Sequence, residues 1–231
     1  MILAAGLGRR MGALTTELPK PLLRVGGRAI IDWGLNRLAE AGVKRAVINL
    51  HHEADLLRQH LAAKAPAGLS IEYSDETEAL LETGGGVAKA LPLLGAAPFL
   101  VINGDVLWFD GVGSTLQAMA ARFHPGGMDA LLLMQPTVNA TGYGGIGDYI
   151  MLDDGQLRRR PEREVAPFVH TGIQILKPGL FKDCPDGPFS LNFIYDRAAE
   201  HNRLFGLRHD GGWMELNRPE GLAAAERALG E

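Results

Sequence analysis

The sequence predicts an α/β protein: a Rossmann-like, mostly parallel sheet with helices on both faces and a small antiparallel extension. Three observations predict it. Short apolar runs alternate with stretches of helical periodicity as far as residue 135, which is the rhythm of βαβ units. The 30 glycines gather at the ends of apolar runs, where tight turns between strands and helices need them. After Pro136 the rhythm breaks, and Asp153-Asp154-Gly155 between two short segments reads as the turn of a hairpin.

In chain order, a strand over 1–5 opens the chain and runs into a glycine-rich loop over 6–12. Ile31, Leu35 and Leu38 fall on one face of a helix over 29–41, which Gly42 ends. A buried-type strand over 43–50 follows, then an amphipathic helix over 53–65 closed by Pro66. Leu69, Ile71 and Tyr73 alternate as in a strand. Gly84, Gly85 and Gly86 read as a loop before a helix over 86–94, which Pro92 bends or ends. A strand over 99–102, a helix over 112–123 and a strand over 130–134 complete the alternation. Beyond it lie the hairpin 148–152/156–160, a strand over 168–176, a helix over 190–202 with Ser190 as N-cap, and a strand leading to Trp213. Asn217 is placed to cap a last helix with Pro219 in its first turn.

Composition narrows the function. The chain has 231 residues, 46% of them apolar and 22% charged, as in an ordinary soluble domain. A net charge of −4 lacks the basic surplus of a dedicated nucleic-acid binder. Cys184, the single cysteine, excludes an internal disulfide and a cysteine-based zinc cluster. The first residues, MILAAGLGRRMG, lack the pattern of a secretory signal, and no window approaches 18 uninterrupted apolar residues. The expectation is a cytoplasmic protein with neither membrane nor nucleic acid as partner.

Four segments carry candidate chemistry. Gly6-Leu7-Gly8-Arg9-Arg10-Met11 follows an apolar strand, so its backbone N–H groups can approach phosphate and its arginines can neutralise one. A plain glycine-rich turn is the alternative. A Walker A loop is excluded because Gly-x4-Gly-Lys-Ser/Thr is absent. A dinucleotide fingerprint is excluded because Met11 stands at its third glycine and the second strand ends in Asn49-Leu50-His51-His52. In Pro19-Lys20-Pro21 two prolines stiffen the backbone around a lysine, which suits a second phosphate contact. Asn103-Gly104-Asp105 ends a buried strand where open α/β sheets bind ligands, and Asp105 is a hard oxygen ligand suited to Mg²⁺. Glu82-Thr83-Gly84-Gly85 forms a further segment open to close ligand approach. The seven histidines show no metal-ligand spacing.

These segments in this order, with Leu3-Ala4-Ala5 ahead of the first loop, resemble the sugar-1-phosphate nucleotidyltransferases over nearly the whole chain. Leu81 to Gly86, Lys89 to Gly95 and Gly147-Asp148-Tyr149 look closest to the compact branch that uridylylates N-acetylmuramate 1-phosphate in cell-wall recycling. The resemblance implies the nucleotide-diphospho-sugar transferase fold. It implies one domain, with a nucleotide-binding half over 1–135 and a sugar-binding half over 136–231. The partners it implies are UTP or another NTP and a sugar 1-phosphate; the protein is expected to be a monomer. Ala4, Ala5, Gly6, Gly8, Arg10, Met11, Lys20, Glu82, Thr83, Gly84, Gly85, Asn103 and Gly104 would meet the nucleotide. Arg10, Lys20 and Asp105 would be catalytic. Asp148, Thr171 and Gly172 would face the sugar. Asp105 would hold Mg²⁺ together with Glu215, which stands in Trp213-Met214-Glu215-Leu216-Asn217-Arg218 where relatives carry Trp-x-Asp-x-Gly-Thr. A guanylyl- or cytidylyltransferase, and a non-catalytic nucleotide sensor on the same fold, are the competing readings.

Overall fold

The computed structural model describes residues 1–230. The first half runs β1 (Ile2–Leu3), β2 (Arg24–Val25), β3 (Arg28–Ala29), α1 (Ile30–Glu40), β4 (Arg45–Leu50), α2 (Ala54–Lys64), β5 (Ser70–Asp75), α3 (Glu82–Leu94), β6 (Phe99–Asn103), β7 (Val106–Phe109), α4 (Thr115–Arg122) and β8 (Ala130–Pro136). The second half runs β9 (Ala140–Thr141), β10 (Tyr149–Met151), β11 (Leu157–Arg159), β12 (Phe168–Leu176), α5 (Leu191–Glu200), β13 (Leu204–Arg208), β14 (Gly212–Glu215) and α6 (Pro219–Gly230). No helix among the described residues is long and apolar enough to cross a membrane.

The main sheet has the order β11-β10-β12-β6-β1-β4-β5, with β8 along the other side of β12 and β13 outside β8. Strands β6, β1, β4 and β5 are parallel, as are β13 and β8. Strand β12 enters antiparallel to both β6 and β8, and β10–β11 is the antiparallel hairpin. The α/β class, the largely parallel sheet and the antiparallel extension all agree with the sequence reading.

The strands alternate between two cores because successive side chains leave opposite faces of a sheet. Ile2, Ala46, Ile48, Leu50, Leu131 and Leu133 pack against Ile31, Leu35 and Leu38 of α1, Leu57 and Leu61 of α2, and Leu116 and Met119 of α4. Val47, Val101, Ala130, Leu132 and Met134 face the opposite way, against Val87 and Ala90 of α3 and Leu191, Ile194 and Ala198 of α5. A third cluster joins Met11, Leu107, Met214, Leu216 and Ala225. It sits beside a small sheet in which β14 pairs antiparallel with β7 and parallel with β9.

Several boundaries differ from the sequence reading, each for a local reason. The expected glycine loop before α3 is helix: α3 begins at Glu82, and Gly84, Gly85 and Gly86 are buried in its first turns. They are glycines because neighbours crowd them. A Cβ on Gly84 would enter the Phe189 ring, one on Gly85 the Gly187 carbonyl, and one on Gly86 the Glu76 carboxyl group. Glu82 takes a left-handed φ of +58°, turning the chain into the helix. Helix α4 starts at Thr115 rather than 112, because Ser114 caps it by accepting from the Gln117 N–H. Asn217 does not cap the last helix: the Gly221 and Leu222 N–H groups donate to the Arg218 carbonyl instead. Strands β2, β3, β7 and β9 were not foreseen, being too short to show a period, and the single strand expected before Trp213 is two, β13 and β14, in different sheets.

Candidate active site

A cleft of ≈ 520 Å³ opens at the carboxyl ends of the parallel strands, the edge where open α/β sheets take ligands. The end of β1 contributes Leu3, Ala4, Gly6, Leu7, Gly8, Arg9 and Arg10; the Pro19–Leu22 segment contributes Lys20 and Pro21; the end of β6 contributes Asn103, Gly104 and Asp105. Leu80 and Thr83, at the start of α3, complete the lining with Asn217 from the link between β14 and α6.

Each element has a reason for its place. Gly8 adopts φ +62° and its carbonyl accepts from the Met11 N–H, so the loop turns sharply after Gly6. Met11, 1% exposed, anchors the loop in the third core beside Met214 and Leu216, which leaves Arg9 and Arg10 facing the cleft. Gly104 lies so close to β1 that a Cβ there would stand 2.5 Å from the Leu3 carbonyl oxygen, and its N–H donates to that oxygen at 2.8 Å. Lys20 Nζ donates to Asp105 Oδ2 at 2.7 Å. The lysine side chain is only 10% exposed, so a cation and a carboxylate are held together at the cleft floor.

The small sheet brings Glu215 to the same place. Glu215 pairs with Val106, and the Leu216 N–H donates to the Asp105 carbonyl at 2.9 Å. Burial and then the Asp105 charge push the Glu215 carboxyl above the usual range, while Arg10, Asn217 and Lys20 oppose the shift. The Asp105 and Glu215 carboxyl groups therefore repel one another. Tyr143 packs edge-on to Trp213, and burial followed by the Asp148 charge raises its phenol. The Tyr143 hydroxyl accepts from the Gly147 N–H at 3.1 Å.

The predicted site residues thus fall into three groups. Ala4, Gly6, Gly8, Arg10, Lys20, Thr83, Asn103, Gly104 and Asp105 line one cleft. Glu215 adjoins it through Asp105, whereas Asp148 is not in its lining and accepts from the His170 N–H at 2.9 Å. Ala5, Met11, Gly84, Gly85 and Thr171 are buried away from it, and Glu82 is on the surface. The Gly84 and Gly85 N–H groups donate to the Phe189 carbonyl at 2.8 and 3.1 Å, which occupies groups expected to meet the nucleotide. Thr171 is fully buried; its hydroxyl donates to the Leu133 carbonyl at 2.9 Å and its own carbonyl accepts from Trp213 Nε1 at 3.0 Å. Gly172, at φ +80° in a bulge of β12, leaves room for the Asn103 side chain.

Sequence reasoning missed Tyr143 and Asn217, which stand in loops without a pattern, and a buried pair behind the cleft. Asn49 Oδ1 accepts from the Ala4 N–H at 2.7 Å, and Asn49 Nδ2 donates to Glu76 Oε1 at 2.7 Å. A polar residue next to last in the apolar strand β4 was the available signal for Asn49.

A family model described as nucleotidyl transferase matches residues 1–227. The chain is 43% identical over its whole length, and 96% of the relative's, to N-acetylmuramate alpha-1-phosphate uridylyltransferase of Caulobacter vibrioides. It is 36% identical over its whole length to the protein of that name from Neisseria meningitidis serogroup B, covering 97% of it. Its fold is similar to the crystal structure of HddC from Yersinia pseudotuberculosis complexed with GMP-PN. The TM-score is 0.78 at 22% identity, covering 99% of this chain and 97% of the other.

Proposed function

This chain belongs to the nucleotidyl transferase family, and from that premise we propose that it joins UTP to N-acetylmuramic acid 1-phosphate and releases pyrophosphate. The observation that carries the reading is the Lys20–Asp105 pair at the floor of a cleft whose rim is the Gly6–Gly8 backbone and Arg10. The substrate pair rests on full-length similarity to two proteins that bear the uridylyltransferase name.

Two polyanions must meet in this reaction, so positioning and charge neutralisation dominate. The Gly6–Gly8 backbone N–H groups and the Arg9, Arg10 and Lys20 cations hold the triphosphate. The sugar phosphate oxygen attacks the α-phosphorus in line; a P–O bond forms there as the bond to the β-phosphate oxygen breaks, and pyrophosphate leaves with the electron pair. A phosphate is already ionised at neutral pH, so no side chain has to remove a proton. Asp148 and Tyr143 stand on the sugar side, where a carboxylate can accept a sugar hydroxyl. Thr171 and Gly172 act by shaping this wall, since the Thr171 hydroxyl is already paired.

Mg²⁺ fits the residues present. Asp105 and Glu215 are two carboxyl groups whose repulsion a dication relieves, and Mg²⁺ takes one or two carboxylates plus substrate phosphates rather than a full protein cage. Among the described residues no cluster of three or more metal-ligating side chains forms, which agrees with that habit. Bound there, Mg²⁺ would supply charge stabilisation at the reacting phosphates. Glu215 is one methylene longer than the aspartate of relatives, but the Leu216–Asp105 hydrogen bond keeps its backbone close. We place the enzyme in the cytoplasm as a monomer recycling cell-wall sugar, with residues 1–135 as its nucleotide half and 136–231 as its sugar half.

Pyrophosphate release measured across UTP, GTP, CTP and dTTP, each with several sugar 1-phosphates, tests the reading. UTP with N-acetylmuramic acid 1-phosphate should turn over fastest. Preference for GTP or CTP with another sugar would move the chain to a different specificity, and triphosphate binding without release would make it a sensor.

A further inference from the structure

We propose that Glu76 and Asn49 form a buried positioning relay that keeps the two walls of the cleft in register, so that triphosphate affinity depends on a carboxyl group outside the cleft. The inference rests on the nucleotide reading above.

Glu76 is the residue just beyond β5 and has 0% exposure. It forms no ion pair among the described residues. Its two oxygens serve two different elements. Oε1 accepts from Asn49 Nδ2 at 2.7 Å, and Oε2 accepts from the Leu81 N–H at 3.2 Å, immediately before α3. Asn49, 3% exposed, passes the hold onward, since its Oδ1 accepts from the Ala4 N–H at 2.7 Å. A continuous path thus runs Ala4–Asn49–Glu76–Leu81, across the ends of β1, β4 and β5 to the start of α3. Its two ends land on two separate walls of the cleft: Ala4 is in the wall that continues into Gly6, and Leu81 stands between the lining residues Leu80 and Thr83.

Two further details fit a built device. Two N–H donors converge on one side chain, each on its own oxygen, which a carboxylate satisfies and an amide cannot. Gly86 makes room for it: a Cβ there would stand 2.7 Å from Glu76 Oε1 and 3.1 Å from Asn49 Nδ2. The Glu76 backbone is held as well, with its N–H on the Leu50 carbonyl at 2.7 Å and its carbonyl on His51 Nδ1 at 2.6 Å. A network that only stabilised the fold would have no need to end on the two walls of one cleft.

An exchange of partners tests the relay. Glu76→Gln alone sets an NH₂ group against either Asn49 Nδ2 or the Leu81 N–H. Asn49→Asp alone sets a carboxylate oxygen against Glu76 Oε1. Together they restore every bond with one reversed: the new amide donates to the new carboxylate, and the amide oxygen still accepts from the Leu81 N–H. UTP affinity is measured by calorimetry with Mg²⁺ present, beside thermal stability and steady-state kinetics. Each single substitution should weaken UTP binding about tenfold, the scale of one mismatched buried hydrogen bond. KM for UTP should follow the affinity, while kcat changes by less. The paired exchange should return the affinity to within about threefold of wild type. Singles that lose thermal stability but keep UTP affinity overturn the relay, and so does a pair no better than its singles. Should the singles fail to fold, the pair decides: wild-type affinity supports the relay, and weak binding or misfolding overturns it. Wild-type protein that binds no triphosphate removes the nucleotide reading and the relay together; wild-type binding with indifferent singles removes the relay alone.

Discussion

The cleft and the neighbourhood of β12 hold their polar residues in opposite ways. In the first, Arg9, Arg10, Lys20, Asn103 and Asp105 line an open cleft. In the second, the polar residues of β12 and its neighbours turn inward. Thr171 is paired inside the sheet, His170 is half-buried with its ring edge-on to Tyr195, and Asp148 Oδ2 accepts from the His170 N–H at 2.9 Å. Buried and without a partner among the described residues are His170 Nε2, the Tyr149 hydroxyl and both polar atoms of Gln174. The cleft leaves its charged groups open to solvent; around β12 the polar groups face the protein. Residues of the same chemical type therefore differ in kind of role according to the face they leave by.

The sharpest way to break this contrast is Asp105→Asn. It keeps the volume and removes the charge, so turnover should fall at least ~10²-fold while circular dichroism stays that of wild type. Near-normal turnover would take Asp105 out of the chemistry and leave the cleft without its carboxylate.

A smaller effect should come from His170. Burial holds its imidazole down at about 4, although the charge of Asp148 pulls the other way. The folded state thus disfavours the protonated ring, and the unfolded chain takes up the extra proton between the ordinary value near 6.5 and about 4. The stabilisation is complete above pH 6.5 and is lost as pH falls. Denaturant titrations should record a loss of about 2 kcal/mol between pH 6.5 and 5. His170→Phe should flatten that slope; an unchanged slope would assign it to other groups.

The smallest effect should be Thr171→Val. Losing the bond to the Leu133 carbonyl should cost about 1 kcal/mol of stability, with the sugar-phosphate KM within about twofold of wild type. A large rise in KM at unchanged stability would put Thr171 in contact with the sugar and erase the contrast.

Legibility followed the same division. The helices α1 and α2, with Ile31, Leu35 and Leu38 or Leu57 and Leu61 on one face, declare themselves by period. So do the glycine loop, the proline-flanked lysine and Asn103-Gly104-Asp105, because each signal is local. Gly84 to Gly86 misled, since a glycine permits a loop and a close approach equally, and only Phe189 and Gly187, about a hundred residues on, distinguish the two. Glu76 was silent for a similar reason. Its partners Asn49 and Leu81 are ordinary in sequence, and burial alone turns them into a network. Strand β7 is too short for any period, yet its pairing with β14 carries Glu215 to the cleft.

The placement of β12 between β6 and β8 has a consequence for how the chain is made. Leu176 pairs with both Phe99 and Ala130, so the sheet has no continuity between β6 and β8 until residue 176 has left the ribosome. Until then β6 presents an unpaired edge of Leu100, Val101 and Ile102, the kind of apolar edge that recruits other strands. Synthesis from the N-terminus therefore delivers every residue lining the cleft except Asn217 before the strand that closes the sheet beside it. A nascent chain paused near residue 135 should be the species most in need of a chaperone.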